Sequence, residues 1–496
     1  MGEDISQDKF SQQDFDRFNQ KLRHNLQALK QVLAFPGFGV GEDSLGAELE
    51  FYLIDKQGAP APCNQLVLDH AKNPQLTPEL NQFNIEYNLL PQLLKGSPFL
   101  AFEQELRRAI AGTNSIASQF QAELIAIGIL PTLIPDQFGH HNMTDQPRYR
   151  AMDNALRKLR GGPFNIDIDG KPPLNLQWDD VTLEGATTSF QLHWKLNPDQ
   201  FTNAFNAIQL VTPIALALAA NSPTLFGHEL WDETRIALFK QSIDCRNTGE
   251  NRPKYPPRVY FGNGWIQQGP LELFASTVAL FPAIMPELSE EDPLKCVEVG
   301  KLPQLHELKI HQGSTWPWNR AIYDQQNEGH VRIEARALPA GPTLQDMSAN
   351  AAFLLGCALA LRDSMPSRIN IMPFKYAEDN FYRAAQYSLN AKLLWPSSSQ
   401  VKVIEYPMLE LAQLLLPLAT DALLEAGLDE TECSRLMGII ADRIQLRLNG
   451  AFWQKSQTRL LLEKGSSPTE AFNLMLNQYR NQFYSEKPLS QWEYLK

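Results

Sequence analysis

An α+β protein is predicted: a mainly antiparallel sheet covered on one face by helices, with a helical C-terminal extension. Two observations predict it. Several segments alternate polar and apolar residues at a strand's period of two, with the charge confined to one side. Beyond about residue 375 that alternation stops, and stretches such as LELAQLLLPLATDALLEAGL and TECSRLMGIIADRIQLRL have the spacing of amphipathic helix.

Along the chain, residues 5–35 carry Phe15, Phe18, Leu22, Leu26, Leu29 and Leu33 at helical spacing, closed by Pro36. A glycine-bearing loop, FPGFGVGED, follows; its spacing matches neither a dinucleotide fingerprint nor a phosphate-binding loop, so its glycines read as turn residues. In the next segment, GAELEFYLID, Glu48 and Glu50 share one face of a strand while Leu49, Phe51 and Leu53 share the other. Two carboxylates at i and i+2 repel, and a hard divalent cation is the simplest group to offset that repulsion. LTPELNQFNIEYNLLP then sets Glu79 and Glu86 seven apart. Helices are expected near 101–122 and 145–160, and strands around ELIAIGILP, near 164–169 and over 186–196.

In the last of these, Ser189, Gln191, His193 and Lys195 alternate with Phe190, Leu192, Trp194 and Leu196. Asn197 and Pro198 open a helix as cap and first residue. Its uncharged run is broken by Asn203, Asn206, Gln209 and Asn221 and would be kinked by Pro213, so it reads as a buried helix rather than a membrane span. HELKIHQG reads as a further strand with Glu307, Lys309 and His311 on its polar side. In GHVRIEARALP, Arg332, Glu334 and Arg336 face away from Val331, Ile333 and Ala335, and LQDMSANAAFLLGCALAL follows as a buried helix. One alternating strand is usually a solvated sheet face; four with the same construction point to a shared concave polar surface for a phosphorylated, metal-bound ligand. His140 and His141 sit in a Gly-Asn loop and read as loop residues.

The totals limit the function. A net charge of -12 argues against a nucleic-acid backbone or an anionic membrane as the main partner. It permits an anionic nucleotide whose phosphates are neutralised locally by metal. Five scattered cysteines in neither a disulfide nor a zinc spacing, and an acidic, polar N-terminus, fit a reduced cytoplasmic protein.

GAELEFYLID, FQLHW, LALAANSPTLFGHELWDETRIALF and RIEARALPAGPTLQDMSANAAF, in this order, resemble the carboxylate–amine ligases of glutamate–cysteine ligase family 2, in the glutamine synthetase superfamily. The resemblance covers roughly residues 40–360 and implies a sheet curled into a funnel. It implies ATP-dependent amide formation through a γ-glutamyl phosphate, with two or three Mg²⁺ or Mn²⁺ ions between the polar face and the nucleotide. Glu48, His193 and Glu334 match the ligands of the metal that bridges the ATP phosphates. Glu50 and Glu86 match ligands on the substrate side, and Glu79 falls where some relatives carry a second acid. Arg336 resembles the arginine that stabilises the transferring phosphoryl group, and Arg235 one near the acidic substrate or the phosphates. Arg320 and Arg332 are further candidates for nucleotide contact, Arg332 alternatively for an ion pair on the sheet face. Trp316 and Trp318 are candidate walls of the pocket.

The partners so implied are L-glutamate or a similar carboxylate and an amine, with cysteine, another amino acid, ammonia and a polyamine all open. The ligase domain is placed at 1–374 and the helical extension at 375–496, a part that in chains of this size often makes homo-oligomer contacts. Two other readings stand beside the ligase: a phosphotransferase acting on a nitrogen nucleophile, and a catalytically silent nucleotide- or amino-acid-binding regulator.

Overall fold

The computed structural model describes residues 5–246, 256–326, 328–397 and 401–493. Eight strands form one sheet: β1 (Ser44–Ile54), β2 (Leu76–Pro78), β3 (Asn84–Asn88), β4 (Gln92–Leu93), β5 (Glu123–Ile125), β6 (Phe190–Lys195), β7 (Asn319–Asp324) and β8 (His330–Ala335). Their order is β7-β8-β6-β1-β3-β2, with β4 and β5 paired to opposite ends of β1, and every pairing is antiparallel. The sheet curls into a half-barrel clad in helices, so the predicted α+β class and antiparallel curvature are those of the protein.

Alternation decides which face of each strand meets the core. Ala47, Leu49, Phe51 and Leu53, then Phe190, Leu192 and Trp194, then Val331, Ile333 and Ala335, are all buried. Burying a large apolar side chain contributes about 1.5–3 kcal/mol. Slipping any of these strands by one residue would therefore expose its whole apolar set. The same lock sets where the polar residues point. Two apolar helices, Phe201–Ala219 and Leu344–Arg362, pack on one another, and the first also packs on β7 and β8. Pro198–Ala219 and Leu344–Arg362 are long and apolar enough to cross a bilayer, but 89% and 83% of an apolar 18-residue stretch in each is buried inside the protein. The first runs through Pro213 and is the buried helix expected from its sequence.

Two expectations fail. HELKIHQG is not a strand: His306–Gln312 is a helix, with Glu307, Leu308, Ile310 and His311 buried. Glu307 accepts hydrogen bonds from the Ser289 amide (2.9 Å) and from Asn25 of the N-terminal helix Gln12–Val32 (3.1 Å), and these contacts hold the segment against that helix. Strands also do not stop at residue 375, because Lys392–Ser397 and Lys402–Pro407 pair as an antiparallel hairpin. Its outer edge is bound by one side chain: Asn380 donates to the Leu394 carbonyl (2.6 Å) and accepts from the Leu394 amide (2.7 Å). A further hairpin, Phe164–Ile168 with Leu174–Trp178, lies apart from the main sheet.

Helices Met408–Glu425, Glu430–Leu446, Gly450–Glu463 and Pro468–Ser485 make up most of the C-terminal part. They lean on the body closely. Gly356 allows Met408–Glu425 to approach Leu344–Arg362, since a Cβ at Gly356 would lie 2.7 Å from the Ala419 carbonyl. Arg443 is buried against Asp346, and its guanidinium donates to Asn350 (2.6 Å). Tyr479 donates to the Ala126 carbonyl (2.9 Å) and accepts from Asn221 (2.9 Å). All five cysteines are free.

Candidate active site

Strand pairing assembles the site row by row. Gly46 faces His193, His193 faces Glu334, and Glu334 faces Arg320, so one row crosses β1, β6, β8 and β7. One step along β1, Glu48 lies between Gln191 and Asn88. One step further, Glu50 faces Glu86, which faces Thr77. Glu48, Glu86, His193 and Glu334 retain only 7%, 2%, 6% and 1% of their exposure. A solvated sheet face is thereby excluded: this polar surface is enclosed.

Two groups of ligand-type atoms result, Glu48–His193–Glu334 and Glu50–Glu79–Glu86, each with its atoms within 4.8 Å of one another. The residues that the resemblance assigned together therefore lie together. His193 Nε2 lies 3.3 Å from Glu48 and 3.5 Å from Glu334. Arg332 donates to His193 Nδ1 (3.0 Å), so the neutral ring carries its proton on Nε2, aimed at the two carboxylates. Holding a cation at Nε2 would require that proton to leave and Arg332 to yield the Nδ1 contact. Two carboxylates and one imidazole suit Mg²⁺ or Mn²⁺, and three carboxylates suit them equally.

The electrostatics differ between the groups. Burial raises the Glu334 carboxyl, but Arg320 and then Arg336 outweigh it and hold it well below the usual carboxylate range. Arg320 grips Glu334 with a fork, through Nε and through Nη2 (3.1 Å), and Arg336 donates to it at 2.9 Å. The second group is compensated only in part: burial raises the Glu50 carboxyl, and Arg336 and a hydrogen bond from the Ser189 amide (2.7 Å) offset some of that rise. Burial, then the charge of Glu48, pushes Glu86 up to about 7. Burial, then Glu86 and Glu50, pushes Glu79 well above its ordinary value. Burial and mutual repulsion oppose the ionisation of all three, and a cation among them would relieve both. The donor set thus fits a divalent ion by charge as well as by spacing.

Two cavities flank the row. One, of about 600 Å³, is lined by Glu48, His193 and Glu334 together with Arg332, Lys309 and Tyr323. The other, of about 170 Å³, is lined by Glu50, Glu79 and Glu86 with Trp316, Arg148 and Arg336. Arg320 borders both. Arg336 donates from Nη1 to Gln191 (2.6 Å) and to Glu334 (2.9 Å), leaving Nε and Nη2 without a hydrogen-bond partner among the described residues.

Other expectations are placed differently. Arg235 is 2% exposed and lines neither cavity: its Nε pairs with Glu233 (2.6 Å) and its Nη2 donates to the Ala337 carbonyl (2.5 Å). Its charge is neutralised inside the protein, and its contact with Ala337 anchors the chain just past β8. Trp318 is core, packed on Phe239 and Phe381. Arg332 makes the ion pair that was its alternative, with Asp324 (3.1 Å), while also lining the larger cavity. His140, in the 3-10 turn His140–Asn142, meets Asp153 of helix Pro147–Arg160 (2.9 Å). Lys309 reaches the larger cavity from a helix instead of a strand. Glu184 and Arg148, both in the smaller cavity, carry no signal in the sequence, because each lies in a segment without alternation.

Residues 44–261 match the model of glutamate–cysteine ligase family 2. This segment runs from β1 past β6, so it holds Glu48, Glu50, Glu79, Glu86 and His193; β7 and β8, with Arg320, Glu334 and Arg336, lie beyond it. The family resemblance carried by GAELEFYLID and FQLHW is thus that of the matched segment. Among curated proteins none is similar in sequence. Among solved structures, a glutamate–cysteine ligase from Francisella tularensis in complex with AMP superposes with a TM-score of 0.54 at 12% identity, over 90% of each chain. That likeness is one of fold. A bifunctional glutathione synthetase from Pasteurella multocida gives a TM-score of 0.46 at 13% identity, over 93% of this chain and 54% of that one.

Proposed function

We propose that the protein is an ATP-dependent carboxylate–amine ligase that activates the side-chain carboxylate of L-glutamate, or a similar acid, and joins it to an amine. The observation that carries this reading is the pair of ligand groups on one enclosed sheet face, with Arg320 and Arg336 beside them. Transferring a phosphoryl group to a carboxylate brings two anions together, and a dense, preorganised set of cations is what lowers that barrier. Two or three Mg²⁺ or Mn²⁺ ions, when bound, would neutralise phosphate oxygens and polarise the phosphorus. Glu48, His193 and Glu334 would hold one, and Glu50, Glu79 and Glu86 the substrate-side ions.

In this reading ATP occupies the larger cavity and the carboxylate the smaller. The donor's carboxylate oxygen attacks the γ-phosphorus, and the bond to the leaving ADP oxygen breaks. Arg336, steadied by Gln191 and Glu334, directs its uncommitted N–H groups to the transferring phosphoryl oxygens. The amine nitrogen then attacks the acyl carbon, phosphate departs with the acyl oxygen, and the amine gives up a proton. The family of residues 44–261 supports this chemistry. Residues 1–374 supply the ligase unit, and 375–496 brace it. The free cysteines suit a reducing, cytoplasmic setting.

The test is ADP release with Mg²⁺ or Mn²⁺, L-glutamate and a panel of amines including cysteine, ammonia and polyamines, with mass detection of products. A γ-glutamyl amide formed in step with ADP is the expected result. ADP with a stable phosphorylated amine and no amide would make the protein a phosphotransferase instead. Tight Mg·ATP binding without turnover on any amine would make it a regulator.

A further inference from the structure

Arg336 and Glu50 carry opposite charges in the wall of the smaller cavity, yet they form no ion pair with one another among the described residues. Arg336 pairs with Glu334 (2.9 Å) instead. Both oxygens of Glu50 are held from the β6 side: Oε2 accepts from the Ser189 amide (2.7 Å) and Oε1 from the Gln191 side chain (2.9 Å). The two charges are still near enough to act on one another. Burial raises the Glu50 carboxyl, and Arg336 is the charge that opposes that rise most; Glu50 acts on Arg336 in turn. Between them lies the Gln191 amide. Its oxygen accepts from Arg336 Nη1 (2.6 Å) while its nitrogen donates to Glu50. Register puts it there: Ala335 faces Leu192, so one step further along this antiparallel pair brings Arg336 beside Gln191, which faces Glu48 on its other side.

A neutral amide suits that place for a reason of charge. A guanidinium and a carboxylate that meet directly on an enclosed face form a bidentate pair, and each then takes up the atoms the other would offer to a ligand. An amide presents an acceptor at one end and a donor at the other, so it satisfies both neighbours and neutralises neither. Its orientation is fixed, because the reversed amide would set N–H against N–H and oxygen against carboxylate. Gln191 is 2% exposed, so solvent does not share the task. We infer that Gln191 is a positioning residue that keeps Arg336 and Glu50 from pairing, so that Glu50 stays available to a cation and Arg336 keeps Nε and Nη2 for the transferring phosphoryl group. This inference rests on the ligase reading above and extends it from the charged groups to a neutral one.

Two substitutions that nearly preserve shape test it. Gln191→Glu keeps the acceptor for Arg336 but sets a carboxylate beside Glu48 and Glu50; Gln191→Met fills the same space with neither hydrogen bond. Hydroxylamine, which converts an acyl phosphate to a hydroxamate, reports activation of the acid whatever the natural amine. Each variant should lose about tenfold or more in kcat for ADP and hydroxamate formation with L-glutamate, with the ATP KM within about twofold of wild type. Near-ultraviolet dichroism checks the fold of each, and either variant alone decides this arm. Combined with Arg336→Lys, Gln191→Met should cost well short of the product of the two single losses, because both act on one contact. Calorimetric titration with Mn²⁺ in the absence of nucleotide should show binding to Gln191→Met weakened about fivefold or more, since Arg336 then competes for Glu50. A wild-type kcat in Gln191→Glu, losses that multiply in the double variant, or an unchanged Mn²⁺ affinity in Gln191→Met overturns the inference while the ligase reading stands. Wild type that forms hydroxamate and ADP from neither L-glutamate nor L-aspartate overturns the ligase reading and the inference with it.

Discussion

Glu334 shows how one side chain can serve two neighbours: Arg320 and Arg336 bind it, and His193 lies 3.5 Å away. The arginines keep it ionised, so it remains available as a ligand at any pH near neutrality. Removing its charge should therefore loosen the arginines and the cation site together. Glu50→Gln and Glu334→Gln are expected to abolish metal-dependent ADP formation while the protein stays folded. Differential scanning with and without Mg²⁺ gives the check: wild type should gain thermal stability on adding the ion, and the variants should gain little. Full turnover in both variants would remove the proposed metal sites. Arg336→Lys should keep the ATP KM within about twofold yet lose roughly tenfold or more in kcat, because an ammonium cannot reproduce a planar fork. A wild-type rate of ADP formation in this variant would mean that Arg336 has no part in the phosphoryl step.

Elements are held at their ends by residues remote in sequence. Helix Pro98–Ala117 begins at Ser97, which makes no side-chain cap, and Glu432 of helix Glu430–Leu446 accepts from the Leu100 amide (2.6 Å) in its place. Burial, which outweighs that hydrogen bond, raises Glu432 to about 7. The folded state then holds a proton that the unfolded chain releases near its ordinary value of 4.5. Stability from this group is present below that value and is lost as pH rises through about 7. Glu432→Gln keeps an acceptor for Leu100 and removes the titration. It should match wild type in melting temperature at about pH 4.5 and exceed it at about pH 8. A difference that does not vary with pH would mean that the helix N-terminus, not burial, governs this carboxyl.

At the scale of the whole molecule, the C-terminal helices are joined to the body by buried and half-buried polar contacts. Arg443 with Asp346, Lys455 with Asp232, and Gln454 with Asn221 each span more than the local chain. Asp346 sits in the first turn of Leu344–Arg362, the helix that follows β8, so the brace reaches the strand carrying Glu334 through one element. Arg443→Met should cost about 3–5 kcal/mol, because it leaves Asp346 buried without its cation. The expected unfolding is a single transition at lower temperature, followed by near-ultraviolet and far-ultraviolet dichroism together. Separate early loss of helicity would mean that residues 375–496 unfold on their own.

Much of the fold was legible because a strand's period of two is a local property. Glu48 with Glu50, Gln191 with His193, and Glu334 with Arg336 declare a shared face without reference to any neighbour. Where the local signal was short, it misled. HELKIHQG alternates as a strand would, yet eight residues cannot separate the two periods, and Asn25 and Ser289 decided for a helix. The hairpin at Lys392–Pro407 was hidden by Pro396 and by charges on its exposed edge, and Asn380 supplies what its sequence lacks.

The chain's own pattern of residues, then, determined that a polar sheet face exists and which acids, imidazole and guanidinium groups stand on it. The resemblance in its motifs pointed to phosphoryl chemistry. Only the tertiary structure decided which of those groups meet: His193 between Gly46 and Glu334, Glu50 opposite Glu86, Arg235 drawn inward to Glu233, and Glu184 brought to the cavity by a turn held on Asn81. The reason is physical. Periodicity orients a side chain about its own backbone, whereas register between strands far apart in sequence is set by the packing of the apolar face behind them.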